Sequence, residues 1–249
     1  MGAGHGGAAL CHGARERVAH FLGRLAALVG EDGAAVVVNY RSDADSAAQA
    51  VAAVEAAGGR ATAVRGDAAE PAELRGLFDT AVKEYGGLDI VVCNVGVVRF
   101  ASIAETTDED FDVMFRTNTR ATFTALHEAA IRVRDGGRIV VVSSGTAVTQ
   151  RPGSGVYGAS KAAGDALVRT LAHELGPRRI TVNSVLPGAT DTDALAAQLS
   201  PQAREQLATQ IPLGRLGRPG DIADVVGFLV SHAARWITGQ AIRAGGGMF

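Results

Sequence analysis

Residues 139–161 read IVVVSSGTAVTQRPGSGVYGASK. The first four form a continuous apolar run, which suits a strand buried on both faces and so a parallel sheet covered by helices. Ser143 and Ser144 end that run, and Pro152, Gly153 and Gly155 mark a loop before the chain turns helical. The same alternation extends both ways. Val36-Val37-Val38, Ile90-Val91-Val92 and residues 180–185 are further strand-like runs. Between them lie helical patterns. Residues 43–57 carry Val51 and Val54 on one face. Residues 71–85 open on Pro71, a favoured first-turn residue, with Leu74, Leu77, Phe78 and Val82 at helical spacing. Residues 155–175 and 219–231 also read as helices. A βαβα alternation without an internal break, linker or repeat predicts one α/β domain over residues 1–249, a doubly wound parallel sheet.

The same stretch carries the chemistry. Tyr157 and Lys161 are four apart and share one helix face. An ammonium near a phenol favours the phenolate and lowers its pKa from about 10. Such a tyrosine can exchange a proton with a carbonyl oxygen as a general acid/base. Ser144 falls at the C-terminal edge of its strand, where doubly wound sheets bind ligands. The intervening loop can return the chain so that a hydroxyl stands beside the phenol. A Tyr-x-x-x-Lys pair alone is common by chance and reads equally as a solvated helix face, and Ser144 alone reads as a strand-end turn residue. Their order along the chain gives them weight.

Composition narrows the classes. The 249 residues are 47% apolar and 5% aromatic with a net charge of −2, and basic residues are spread rather than clustered, which argues against a nucleic-acid partner. Cys11 and Cys93 show no metal-ligand spacing, so no metal is expected and a reducing, cytoplasmic setting fits. No apolar run approaches the roughly 20 residues of a membrane helix, and the N-terminal stretch lacks the layout of a signal peptide. Ser143-Ser144-Gly145 is not a hydrolase elbow.

With these residues in view, the sequence resembles the short-chain dehydrogenase/reductase family from about residue 34 onward. Ser144, Tyr157 and Lys161 stand at the family's spacing. Asn118, in Arg-Thr-Asn-Thr-Arg, matches its catalytic Asn. Cys93-Asn94-Val95-Gly96 follows a strand where the family usually has Asn-Asn-Ala-Gly. Pro187-Gly188 with Thr192 follows the next strand, and Ile237 to Gln240 with Gly245-Gly246 look like the family's end. The resemblance implies a Rossmann-like fold and hydride transfer between a nicotinamide and a carbonyl or alcohol. It implies Tyr157 as proton donor and acceptor, Lys161 tuning it and binding the nicotinamide ribose, Ser144 orienting substrate, and Asn118 supporting a water-linked proton path to Lys161. Pro187, Gly188 and Thr192 would hold the carboxamide, Asn94 and Gly96 would line the cofactor, and Asp67 would contact the adenine. Read locally, Asn118 is a mid-helix polar residue bonded nearby, and Asp67 a helix N-cap ahead of Pro71.

The second strand ends Val38-Asn39-Tyr40-Arg41-Ser42, with Asn39 where an NAD-gripping acid would stand. Arg41 and Ser42 suit a 2′-phosphate, so NADP is expected over NAD. The resemblance extends to 3-oxoacyl-carrier-protein reductases and to small-ketone and sugar dehydrogenases alike, with residues 189–212 as a lid carrying Leu195, Leu199, Leu207 and Ile211. Arg116, Arg120 and Arg151 are candidates for a basic rim toward an acidic carrier, or a solvated face. A homotetramer or homodimer is implied, packed through the helices bearing Asn118 and Tyr157.

The N-terminal 30 residues depart from the family, which opens with a strand, a Thr-Gly-x-x-x-Gly-x-Gly turn and a helix. Val18, Phe21, Leu22, Leu25, Leu28 and Val29 recur at helical spacing, so residues 14–30 read as helix. One arrangement takes Gly2 and Gly6 as a degraded phosphate-binding turn feeding that helix, with the first strand absent. Another makes residues 25–29 the first strand, with the turn and helix lost. A third leaves residues 2–7 as a disordered tail. Two functions follow: an active NADP-dependent oxidoreductase, motivated by the retained Ser, Tyr, Lys and Asn, or a non-catalytic binding or assembly subunit of the same fold, motivated by the missing turn.

Overall fold

The computed structural model describes residues 8–12, 35–149 and 151–249. Seven parallel strands form one sheet in the order β3-β2-β1-β4-β5-β6-β7. They are β1 (Ala8–His12), β2 (Ala35–Tyr40), β3 (Arg60–Arg65), β4 (Leu88–Cys93), β5 (Val133–Val142), β6 (Thr181–Pro187) and β7 (Ala241–Ala244). The longer helices are α1 (Ala44–Ala56), α2 (Pro71–Tyr85), α3 (Asp108–Met114), α4 (Ala121–Arg132), α5 (Gly155–Leu175), α6 (Pro201–Thr209) and α7 (Pro219–Val230). A π-helical turn, Phe115–Arg120, joins α3 to α4.

The expected apolar runs became β2, β4, β5 and β6. Alternate residues of β2 serve opposite faces of the sheet: Val36 and Val38 pack with Val54, Val92, Val140, Ile222 and Val226. Val37 packs on the other side with Leu74, Leu77, Phe78, Val91, Ile139 and Val168. Both faces are therefore dry, and a strand alternating apolar with polar residues could not sit there. The predicted inward face of α2 holds except at Val82, which is 37% exposed.

The expectation that the first strand is absent, or lies at residues 25–29, is corrected. Ala8–His12 fills the centre of the sheet, with Ala9 opposite Val36 on one side and Ile90 on the other. The stretch Ala-Ala-Leu-Cys-His has weak strand propensity, but pairing along both edges decides the matter. Ala9 is fully buried; a small side chain suits a site where the layers on either face lie close. Gly2, Gly6 and the helix expected over residues 14–30 lie outside the described residues.

The chain runs from β1 outward to β3 and then returns to the other side with β4. The order thus reverses between β1 and β4, and ligands of such sheets bind in the crevice beyond the carboxyl ends of those strands.

Candidate active site

Ser144 is the second residue past the end of β5, and Tyr157 lies in the first turn of α5, which packs against β5 and β6. The Tyr157 phenol and the Ser144 hydroxyl line the same cavity, close enough for Ser144 to draw the phenol's pKa down. The Ser144 oxygen accepts from the Thr146 hydroxyl at 2.9 Å and the Thr146 backbone N–H at 3.2 Å. Phe100 meets the Tyr157 ring edge to face, with centroids 5.9 Å apart. The loop return read from Pro152 and the glycines therefore brings the two hydroxyls together.

Lys161 sits one turn further along α5 and is 93% buried, being 7% exposed. Its Nζ donates to the Val95 carbonyl at 3.0 Å and the Val142 carbonyl at 3.1 Å. Those carbonyls stand just past β4 and at the end of β5, so the ammonium bridges two strand tips. Burial pushes its pKa down to about 8, against the opposing pull of Asp165 and Cys93. The phenol behaves otherwise than the sequence suggested. Burial pushes Tyr157 up, with Ser144 pulling the other way. Lys161 spends its protons on main-chain carbonyls, and desolvation governs the phenol.

Gly96 owes its identity to this packing. A Cβ there would lie 2.8 Å from Lys161 Nζ and 3.2 Å from its Cε. Gly96→Ala is expected to cost about 1–3 kcal/mol of stability through overpacking, and to lower turnover at least tenfold by tilting Lys161. Urea unfolding and steady-state kinetics on the purified variant check both.

Asn118 lies in the π-helical turn, a geometry common at functional sites, and is 1% exposed. Its Oδ1 accepts from Val97 N–H at 2.8 Å. Its Nδ2 donates to the Val97 carbonyl and the Ser160 hydroxyl, both at 2.9 Å. Ser160 in turn donates to the Tyr157 carbonyl at 2.7 Å. The local reading of Asn118 is thus corrected: its partners are 21 and 42 residues away, and it ties the loop after β4 to the helix bearing Tyr157 and Lys161.

Asp165 extends the same face of α5 by another turn, buried at 5% exposure, and accepts from the Ser143 hydroxyl at 2.9 Å. Burial raises its pKa, while Ser184, Ser143, Lys161 and Arg169 oppose that rise. The sequence reading passed it over; its i+8 spacing from Tyr157 was the available signal.

Asn94, Ser144, Tyr157, Pro187, Gly188 and Thr192 line one cavity of about 840 Å³. Leu195, Leu199 and Leu207 of the expected lid also line it, whereas Ile211 packs beside Gly246. Gly188 lies against Gly245, where a Cβ would come within 2.7 Å of that residue's Cα. Arg151 borders the cavity, and Arg116 pairs with Glu70 at 3.4 Å on the surface.

A second group stands at the tips of β2 and β3. Asn39 is 2% exposed and donates to the Gly66 carbonyl at 2.9 Å and the Val64 carbonyl at 3.2 Å. A carboxylate there would face two carbonyls with no proton to share, so the position is committed to a neutral amide. Arg41 and Ser42 are exposed beyond it, with Arg41 Nη1 3.8 Å from Asp67 Oδ2. Asp67 is not the N-cap of α2; Glu70 is. Asp67 instead accepts from Ala69 N–H at 2.9 Å, and its own N–H donates to Glu73. Among the described residues no cluster of His, Cys, Asp and Glu is placed to hold a metal ion, and no helix is long and apolar enough to cross a membrane.

A phenol, a hydroxyl and a buried ammonium at the carboxyl edge of a doubly wound sheet are groups suited to exchanging a proton with a carbonyl or alcohol oxygen. Residues 23–249 match the family described as enoyl-(acyl carrier protein) reductase. The chain is 40% identical to versicolorin reductase of Emericella nidulans over 237 residues, covering 90% of each. A short-chain dehydrogenase/reductase from Serratia marcescens superposes with a TM-score of 0.89 at 35% identity, covering 98% of both chains. The angucycline C-6 ketoreductase LanV, solved with bound NADP, superposes equally at 39% identity, covering 98% of this chain and 95% of that one. The protein belongs to the short-chain dehydrogenase/reductase family of oxidoreductases.

Proposed function

We propose that the protein is an NADP-dependent ketoreductase in which Tyr157 delivers a proton to the substrate oxygen. The observation that carries this reading is that the Tyr157 phenol and the Ser144 hydroxyl line one cavity at the carboxyl edge of the sheet, one helical turn from Lys161. NADPH, when bound, supplies the hydride. Two features of the described residues fit it. Asn94, Pro187, Gly188 and Thr192 line the same cavity as Ser144 and Tyr157, and Arg41 and Ser42 lie exposed beyond Asn39, a neutral amide where an acid would repel a 2′-phosphate. By this reading Pro187, Gly188 and Thr192 hold the carboxamide end, Asn94 and Gly96 line the ring side, Asp67 lies toward the adenine, and Arg41 and Ser42 meet the 2′-phosphate. The relatives named above as a versicolorin reductase and a ketoreductase, the latter with NADP, support the same reading.

Ser144 can hold the substrate oxygen by a hydrogen bond while Tyr157, whose pKa burial pushes above the ordinary phenol value, donates to it. A phenol held protonated favours reduction over oxidation, since oxidation would need the phenolate first. As the proton leaves, the nearby Lys161 charge stabilises the phenolate. Asn118 positions the loop and helix that carry these groups. Phe100, Leu195, Leu199 and Leu207 give the cavity an apolar wall, which suits a bulky ring ketone. Purified protein should oxidise NADPH in the presence of 2-tetralone; no turnover and no change in NADPH fluorescence on titration would leave the fold without this function.

Arg41→Ala is expected to raise KM for NADPH about tenfold, the loss of one charge-assisted phosphate contact at an exposed site, while KM for NADH changes less than twofold. Parallel initial-rate measurements with both cofactors check it. We infer also a homo-oligomer packed through α4 and α5, supported by the exposed Phe123 and Ile131 on α4; light scattering on the purified protein tests it.

A further inference from the structure

Gly145 and Gly245 pose a question that backbone geometry does not answer. Glycine is required where φ is positive, as at Gly246 (φ 62°) and Gly247 (φ 88°), but neither Gly145 nor Gly245 is such a position. Both instead touch the same side chain. A Cβ on Gly145 would lie 2.3 Å from Cε1 and Cζ of the Phe249 ring, and a Cβ on Gly245 would lie 2.6 Å from Cε1 and 3.0 Å from Cζ. The two glycines are thus the walls of a slot cut for one phenyl ring.

The tail that delivers the ring is itself held. Gly246 and Gly247 reverse the chain, Met248 N–H donates to the Gly245 carbonyl at 3.1 Å, and the Gly246 carbonyl accepts from Leu213 N–H at 3.2 Å. Gly247 packs on the Pro212 ring and Gly246 on Ile211, at the end of the lid segment. Gly145 N–H donates to the Pro187 carbonyl at 2.8 Å, which fixes the slot's other wall to β6. Met248 and Phe249 both line the cavity that contains Ser144 and Tyr157. Phe249 therefore rests on the residue directly after Ser144, on the wall of the same cavity.

We propose that Phe249 is a specificity-determining residue, its ring seated on Gly145 and Gly245 and bounding the substrate cavity beside Ser144. The proposal rests on the ketoreductase reading and names which residue limits its substrate. Removing the phenyl opens room for a larger substituent and strips apolar contact from a smaller one. A methyl on Gly145 displaces the ring and so has the same effect by another route.

The experiment measures kcat/KM with NADPH for cyclohexanone and for 9,10-phenanthrenequinone. It compares the wild-type chain with Phe249→Ala, Phe249→Leu, Gly145→Ala and the Gly145→Ala/Phe249→Ala double variant. Phe249→Ala is expected to shift preference toward the quinone at least tenfold and Phe249→Leu by less, with KM for NADPH within twofold of wild type. Gly145→Ala should shift the ratio in the same direction, and the double variant should shift it no further than Phe249→Ala alone. A ratio unchanged in Phe249→Leu and Phe249→Ala, with wild-type turnover intact, overturns the specificity role and leaves the ketoreductase reading standing. Effects of Gly145→Ala and Phe249→Ala that multiply in the double variant overturn the slot. Wild-type protein that reduces neither compound defeats the ketoreductase reading, and this role with it.

Discussion

Tyr157→Phe should lower kcat/KM for ketone reduction by about 10³-fold while leaving the fold and NADPH binding in place. The substitution removes one oxygen. That oxygen faces the cavity beside Ser144 and is the proton donor in the proposed reaction; positioned general acids contribute about 10²–10⁴ in rate. The ring stays, and with it the edge-to-face contact on Phe100. Ser144 keeps its bonds from Thr146, so no buried hydroxyl is stranded and the stability change should stay within about 1 kcal/mol. Steady-state kinetics, NADPH fluorescence titration and thermal melting separate these effects. Retention of more than a tenth of wild-type kcat/KM would remove Tyr157 from the chemistry and return the cavity to a binding role.

What the sequence made legible follows from how each residue is held. Val36 to Val38 and residues 139–142 announced themselves because strands buried on both faces need unbroken apolar runs. Strand β3 gave no such signal: it is an edge strand, its exposed residues Arg60 and Arg65 alternating with partly buried ones. Strand β1 was misread for a different reason. Ala8–His12 is short and poor in β-branched residues, and its stability comes from partners on both edges that are distant in sequence. Ser144, Tyr157 and Lys161 were readable as a set because strand end, loop and helix spacing are local. The surroundings of Lys161 were not, since Val95 and Val142 reach it through the fold of the sheet. For the same reason the expected depression of the phenol's pKa gave way to burial. Phe249 carries no motif at all; only the superposed approaches of two glycines reveal its seat.

The lysine makes the second large prediction, and its sign follows from burial. An ordinary lysine releases its proton near 10.5; burial brings Lys161 to about 8. Below pH 8 the folded and unfolded chains both hold that proton, and the folded chain carries the whole cost of a desolvated charge. Between about 8 and 10.5 the unfolded chain holds it and the folded chain releases it, so this residue's contribution to stability rises with pH and then levels off. The full span is worth roughly 3 kcal/mol, at about 1.4 kcal/mol per pH unit. Lys161→Met fills similar space without a titrating group, at the cost of two unanswered carbonyls whose penalty does not depend on pH. Urea unfolding should therefore show wild type gaining roughly 2 kcal/mol on Lys161→Met between pH 7.5 and 9.5. The same proton governs catalysis in the opposite direction. Stabilising a phenolate needs the charged ammonium, so kcat/KM for reduction should fall as pH rises through about 8, and Lys161→Met should lose about 10²-fold or more at pH 7. A stability difference flat across that pH range, or a reduction rate that ignores it, would mean that Lys161 keeps its proton in the folded chain and that its two carbonyl partners outweigh its burial.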